Sequence, residues 1–316
     1  MKVSILVPVY GVEKYIEQCA HSLMEQTYDD MEYVFVDDCS PDDSIAILKR
    51  VVAQYPQRSG QVRIIHHDHN RGIGATRDTA LTAATGECFI YVDSDDYVDK
   101  RCVELLVKRM EETGAQMVDG GYAISRDNMV TQTTPPYGGS RHSYVCRLLC
   151  QNLLHNRIWG RLINRHAMLD NNLRTIEGID YSEDFMVATR LVAALTRAGV
   201  EKTLYYYRDD NSGSYTNTLS PRHHRSYLRS CAIVLDFFGR IEEYRTATDF
   251  CRLAVIRHAR RFGVDFSEVE ELCPDAFKTG HGYATLIANL LRAPRVPYSI
   301  SCFIYRFARR LFLFSL

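Results

Sequence analysis

Aspartates cluster where a β-rich run stops: Cys88-Phe89-Ile90-Tyr91-Val92 is followed at once by Asp93-Ser94-Asp95-Asp96. In an open α/β sheet ligands bind beyond the carboxyl ends of the strands, so carboxylates there are aimed at a site and not at the core. At a turn, two of them can converge on one hard cation, which takes oxygen ligands and bridges to phosphate. A solvated turn, with Asp99 capping the next helix, would use the same residue types. A second acidic strand end, Val34-Phe35-Val36-Asp37-Asp38, runs into Cys39-Ser40-Pro41-Asp42-Asp43-Ser44. Asp38 is suited to accept hydrogen bonds from a base or ribose, while Ser40 and Asp42 turn the chain and cap a helix. Two such ends on one edge of a sheet point to a nucleotide with a divalent metal. Neither G-x-G-x-x-G nor G-x-x-x-x-G-K-[ST] follows the first strand, which disfavours a dinucleotide-binding dehydrogenase and a P-loop NTPase. Arg71-Gly72-Ile73-Gly74 holds a lone G-x-G that starts the helix carrying Arg77.

These residues need a sheet to hold them. Residues 1–120 alternate β-rich runs with amphipathic stretches, the pattern of a parallel sheet covered by helices. Strands are predicted at Val3–Val9, Tyr33–Asp37, Val62–His66, Cys88–Val92 and Gln116–Ile124. Val12, Ile16, Cys19 and Leu23 recur at helical spacing, as do Ile45, Leu48, Val52 and Tyr55. Asn70–Gly86 and Asp99–Thr113 read as further helices, the second closed by Gly114. Thr131–Arg141, rich in Pro and Gly, reads as a loop. Beyond it, Ser143–His155 and Ser182–Leu195 are predicted helices, Lys202–Tyr207 a strand, and Pro221–Phe262 mainly helical. Cys39 argues against a positive φ at its turn.

The segments SILVPVYGVEKYIEQCAHSLMEQTYDDMEYVFVDDCSPDDS, HNRGIGATRD and TGECFIYVDSDDYV, in that order, resemble the family 2 glycosyltransferases of the GT-A fold. The likeness is specific over roughly residues 1–125. It continues in islands at Ile158-Trp159-Gly160-Arg161-Leu162-Ile163 and Tyr181-Ser182-Glu183-Asp184-Phe185, similar to bacterial polysaccharide enzymes. The resemblance implies an α/β fold: a mostly parallel, Rossmann-like sheet flanked by helices, with a helical C-terminal extension. It implies a nucleotide pocket drawn from Pro8, Val9, Tyr10, Glu13, Asp38, Arg71, Asp93 and Ser94. Asp95 with Asp93 would ligate a divalent cation, Mn2+ or Mg2+, on the diphosphate. Asp184 would be the base, with Glu183 its substitute and Asp180 a weaker one. Gly11 and Cys39 depart from the family's usual Asn and Gly.

The chemistry implied is inverting transfer of a sugar from a nucleotide-sugar, UDP preferred, to a hydroxyl. Negative charge develops on the leaving phosphate, where a divalent ion stabilises it, and a carboxylate takes the acceptor's proton. Local readings compete with these roles. Asp184 and Glu183 open a predicted helix, where acidic residues favour the dipole. Trp159 suits stacking on an acceptor sugar or packing in a core. Arg71 and Arg77 suit phosphate or an ion pair. His66, His67 and His69 lack further metal ligands and are expected in a loop beside the nucleotide. Tyr205-Tyr206-Tyr207 reads as a buried or half-buried strand, and Tyr215, Arg222, His223 and His224 as lining an acceptor path.

Thirty-eight Lys and Arg against 39 Asp and Glu leave a net charge of -1, which excludes bulk attraction to nucleic acid. The balance hides an uneven distribution. No acidic residue follows Asp275, whereas Lys278, Arg292, Arg295, Arg306, Arg309 and Arg310 do. SISCFIYRFARRLFLFSL sets Ile300, Phe303, Ile304, Phe307, Leu311 and Phe314 on one helical face beside arginines, as in an interfacial helix. The expected organisation is a catalytic domain over 1–215 (1–125 for the donor, 126–215 for the acceptor), a helical extension over 216–280 and a basic tail over 281–316. The amino terminus is too quickly polar for a secretory segment and the ten cysteines follow no disulfide or zinc spacing, so a reducing cytoplasm is expected. The tail would place the protein on the inner face of the membrane, extending a lipid-linked glycan. A sugar-nucleotide nucleotidyltransferase and a non-catalytic nucleotide-binding protein are the alternatives.

Overall fold

VSILVPV and MEYVFVD carry little polar alternation, and both are strands buried along their whole length, β1 (Val3–Val9) and β2 (Met31–Asp37). That is the signature of a sheet covered on both faces. Between them α1 (Ile16–Met24) turns Ile16, Cys19, Ala20 and Leu23 inward. The computed structural model describes residues 1–127, 129–151, 155–210 and 219–316. The chain continues through α2 (Ser44–Val52), α3 (Pro56–Ser59), β3 (Val62–His66), α4 (Ile73–Ala83) and β4 (Cys88–Tyr91). Next come β5 (Tyr97–Val98), α5 (Cys102–Thr113), β6 (Met117–Arg126) and β7 (Met129–Thr134). After α6 (Arg141–Leu149) follow β8 (Arg161–Asn164), α7 (Arg165–Asp170), α8 (Glu183–Ala194) and β9 (Arg197–Arg208). Among the described residues, the remaining α-helices are α9 (Pro221–Phe238), α10 (Arg245–Phe262), α11 (Phe266–Leu272), α12 (Gly282–Arg292) and α13 (Tyr298–Phe314).

These elements form two compact units that alternate along the chain. The first comprises Met1–Gly138, Ile158–Asp180 and Ala194–Asn217, and the second Gly139–Arg157, Tyr181–Ala193 and Thr218–Leu316. The first unit holds the sheet, in the order β3-β2-β1-β4-β8-β6-β9-β5, with β7 paired to β6. Strands β3, β2, β1 and β4 are mutually parallel, as are β6 and β9; β8, β5 and β7 pair antiparallel and make the sheet mixed. The order reverses at β1, which sends the chain to β2 and β3 on one side and to β4 on the other. Ligand crevices open at such a switch point. The β1 ladder with β4 closes at Leu6↔Tyr91, while that with β2 runs on to Val9↔Asp37, so the end of β1 passes beyond the end of β4.

Two sequence expectations are corrected. Residues 131–134, read as loop, lie in β7, an edge strand exposed along nearly its whole length that has no buried face to impose a pattern. Cys39, read as evidence against a positive φ, has φ 63°. Its turn is held from both sides: Asp38 N–H donates to Val9 O (2.9 Å), and Ser40 N–H donates to Asp37 Oδ1 (2.9 Å). Gly114 closes α5 in the left-handed region as its position predicts, with φ 64°. All ten cysteines are free thiols, and only Cys39 is exposed.

In the second unit α10 packs against α6, α9, α12 and α13. Helix α13 is pinned by Arg309 Nε to Cys150 O (2.6 Å) and buries Ser301, Cys302 and Tyr305. Its opposite face leaves Ile300, Phe303, Phe307, Leu311 and Phe314 exposed. Among the described residues, no helix is long and apolar enough to cross a membrane.

Candidate active site

The turn after β4 is built around a buried arginine. Arg77, on α4, is 3% exposed and places Nη2 2.8 Å from Asp93 Oδ1. This ion pair fixes one oxygen of Asp93. Asp96 N–H donates back to Asp93 O (3.0 Å), which closes the turn. Asp96 itself points inward: Oδ2 accepts from the Tyr205 hydroxyl (2.6 Å) and Oδ1 from Arg208 N–H (2.7 Å). Burial pushes the Asp96 carboxyl well up, helped by the nearby Asp95 and Asp93 charges, and these two hydrogen bonds oppose the rise. Arg208 Nε donates to Asp95 O (2.9 Å), and its guanidinium also meets Gln18 Oε1. Asp93 and Asp95 are thus left half-buried while Ser94 and Asp96 are buried.

Asp38 is the second fixed carboxylate. Its Oδ1 lies 2.7 Å from His67 Nδ1 and accepts Arg71 N–H (2.9 Å), and Oδ2 accepts Gly72 N–H (2.9 Å). A carboxylate has about four acceptor directions, so roughly one remains for a ligand. The three histidines each meet an aspartate: His66 Nδ1 stands 2.9 Å from Asp37, His67 2.7 Å from Asp38 and His69 2.6 Å from Asp68. For Asp37, burial acts upward, but the Ser40 amide and His66 hold its carboxyl below the usual range.

The glycines of the lone G-x-G have a steric reason. A Cβ on Gly72, whose φ is 87°, would lie 2.3 Å from Asp180 Oδ1, and one on Gly74 would lie 2.3 Å from Ile176 O. Asp180, 4% exposed, accepts Gly74 N–H (3.2 Å) at the start of α4, so this weaker base candidate serves a helix N-terminus. Pro8 and Val9 are buried in β1 and Tyr10 is half exposed at its end. Glu13 accepts Asp43 N–H (3.2 Å), and its own N–H donates to Asp42 Oδ2 (2.9 Å). Arg71 pairs with Glu177 at 2.7 Å. Trp159 is 8% exposed and stacks on Tyr205 at 4.3 Å and on Tyr207 at 5.5 Å, with Tyr122 edge-on. Packing occupies most of the ring.

Glu183 and Asp184 form the first turn of α8 in the second unit. Ser182 precedes them with φ 65° and accepts Met186 N–H (3.1 Å). Ser226 on α9 anchors this entry, accepting from Tyr181 N–H (2.8 Å) and donating to Tyr181 O (2.9 Å). His223 caps α9 through Ser220, and His224 pairs with His258 at 2.9 Å. Tyr215 lies outside the described residues. Sequence reasoning gave no role to Tyr205, Asp96 or Arg208 in shaping the turn. Asp96 and Arg208 stand 112 positions apart, and no local spacing links them.

The fit to a metal is specific in kind. Among the described residues, no group of three or more His, Cys, Asp or Glu could hold a metal ion. Asp93 and Asp95 alone suit a hard cation that keeps water and phosphate oxygens among its ligands.

Comparison with known proteins agrees with this architecture. The sequence matches the family described as "Glycosyl transferase family 2" over residues 4–170, more than half of the chain, and the protein belongs to that family. The protein named "Uncharacterized glycosyltransferase EpsJ" of Bacillus subtilis is 28% identical over 66% of this chain and 61% of its own length. The poly(ribitol-phosphate) beta-N-acetylglucosaminyltransferase TarS of Staphylococcus aureus is 24% identical over 74% of this chain and 40% of its own. The chain therefore spans less than two thirds of these relatives. The crystal structure of TarS 1-349 with UDP-GlcNAc superposes with a TM-score of 0.68, covering 99% of this chain and 91% of that one at 20% identity. A Pyrobaculum calidifontis mannosyltransferase with GDP-Man and Mn2+ gives a TM-score of 0.52 over 96% of this chain and 86% of that one, at 15% identity. The fold is GT-A.

Proposed function

We propose that this protein is a glycosyltransferase that moves a sugar from a UDP-sugar to a hydroxyl of a lipid-linked glycan, with inversion, in surface polysaccharide synthesis. The observation that carries the donor half is the Asp93–Asp96 turn, fixed by Arg77 and β9 at the switch point of the sheet. UDP is favoured because TarS was solved with UDP and with UDP-GlcNAc. Pro8, Val9, Tyr10, Glu13, Asp38, Arg71, Asp93 and Ser94 are assigned to the nucleotide. Asp95 and Asp93 would hold a divalent cation, Mn2+ or Mg2+, on the diphosphate, where it offsets charge on the leaving phosphate.

Asp184 is assigned as the base that takes the acceptor proton, with Glu183 beside it. Trp159 is assigned to the acceptor, through the small part of its ring left exposed. The exposed apolar face of α13, flanked by exposed Arg306 and Arg310, is assigned to an anionic lipid surface on the cytoplasmic side. Charge supports this choice, since the chain carries no carboxylate side chain after Asp275.

The test is UDP release from a panel of UDP-sugars with Mn2+ or Mg2+. Asp95→Asn and Asp184→Asn are each expected to lower kcat/KM by at least about a hundredfold. Full activity in both variants would overturn the site assignment.

A further inference from the structure

We propose that Tyr205 is a positioning residue for the donor site: its hydroxyl, with Asp96 and Arg208, locks the backbone that presents Asp93 and Asp95. The inference rests on the reading of those two aspartates as nucleotide and metal contacts. Tyr205 is fully buried, and its hydroxyl serves two partners at once. It donates to Asp96 Oδ2 (2.6 Å) and accepts from Asp93 N–H (3.1 Å). Asp93 thus has its amide fixed by Tyr205 and its carboxylate fixed by Arg77, from two sides of the turn.

The last residue of β9 completes the lock. Arg208 N–H fills the other oxygen of Asp96, and Arg208 Nε holds Asp95 O (2.9 Å). The residues on either side of Ser94 and the carbonyl of Asp95 are therefore tied to β9. The guanidinium is itself held over the rings of Tyr15 (5.1 Å) and Tyr97 (5.7 Å). The Tyr205 ring is in turn fixed by the stack on Trp159 at 4.3 Å. A carboxylate pair meant to receive a cation repels itself until the ion arrives, and a rigid backbone keeps the two groups from turning apart. Asp96, the third carboxylate in this short run, is placed where it orders the turn and does not ligate.

Tyr205→Phe removes the hydroxyl and keeps the stack. Tyr33→Phe is the control, because it removes another buried hydroxyl of the same sheet, one that donates to Leu23 O (3.0 Å) away from the turn. UDP binding is measured by calorimetry with and without Mn2+, and folding by thermal melting. Tyr205→Phe is expected to weaken binding of UDP with Mn2+ about tenfold, the effect of one or two lost hydrogen bonds. Binding without Mn2+ should change far less. Tyr33→Phe should lower the melting temperature comparably and leave both affinities unchanged. Equal affinities in Tyr205→Phe and the wild type would overturn the lock. Should Tyr205→Phe fail to fold, Asp96→Asn takes its place, and an unchanged affinity for UDP with Mn2+ in that variant would overturn the lock equally. Asp95→Ala separates the underlying reading: if it too binds UDP with Mn2+ as the wild type does, the site assignment fails and not the lock alone.

Discussion

Arg77 Nη2 lies 2.8 Å from Asp93 Oδ1, and the arginine is almost wholly removed from water. Its guanidinium also lies over the ring of Tyr91, with the central carbon 5.8 Å from the centroid. Removing one member of a buried pair strands the other charge, though Asp93 keeps enough exposure to soften the effect. Arg77→Met is expected to lower stability by about 2 kcal/mol at pH 7. Urea denaturation measures it, and a loss below about 0.5 kcal/mol would mean that the pair is decorative.

Glu32 should dominate acid sensitivity at the opposite end of the sheet. Burial alone would raise its carboxyl, but hydrogen bonds from Ser4, the Thr85 amide and hydroxyl, and Lys2 bring it down to about 2. A carboxylate whose folded value is depressed stabilises the protein above its unfolded value, and that contribution fades as pH falls through the folded one. The window here runs from about 4.5 down to about 2. Glu32→Gln is expected to cost about 3 kcal/mol at pH 7 and little near pH 2. Denaturant midpoints across that range test it; a pH-independent loss would assign the effect to packing instead.

At Cys39 the backbone carries strain that its side chain does not require. The left-handed region costs a non-glycine residue about 1 kcal/mol, and glycine loses part of that advantage through its freer unfolded chain. Cys39→Gly should therefore raise stability by up to about 1 kcal/mol, while Cys39→Val, branched at Cβ, should lower it. Thermal melts of the two variants must shift in opposite directions for this account to stand.

The apolar face of α13 offers a test that spares the fold. Cys302 and Tyr305 are buried, so cutting the helix away would uncover the core beneath it. Phe303 and Phe307 are 68% and 57% exposed. Replacing both by Glu is expected to abolish sedimentation with vesicles containing phosphatidylglycerol, with melting unchanged. Wild-type binding should weaken at high salt. Retained binding in the double variant would remove the lipid assignment.

The first part of the sheet was legible because parallel strands buried on both faces leave long apolar runs, and the acidic turns at their ends interrupt them abruptly. The runs beginning at Val3 and Val62 matched their strands to the residue. Tyr97–Val98 and Arg161–Asn164 were missed because two or four residues carry no period. The G-x-G was visible, but its reason was not: Asp180 and Ile176, which exclude a Cβ there, come about a hundred residues later. Tyr205 read correctly as a buried strand residue, while its hydroxyl's two partners depended on a pairing that only the fold creates.

Strand β9 joins the sheet between β6 and β5, although it is made up of Arg197–Arg208. A ribosome therefore releases the Asp93 turn more than a hundred residues before the strand that braces it. Until then Asp96 has neither Tyr205 nor Arg208 to receive, and a chain stopped short of residue 208 would carry the acidic turn without its backing. The order of synthesis makes the bracing of the acidic turn one of the last contacts this unit acquires.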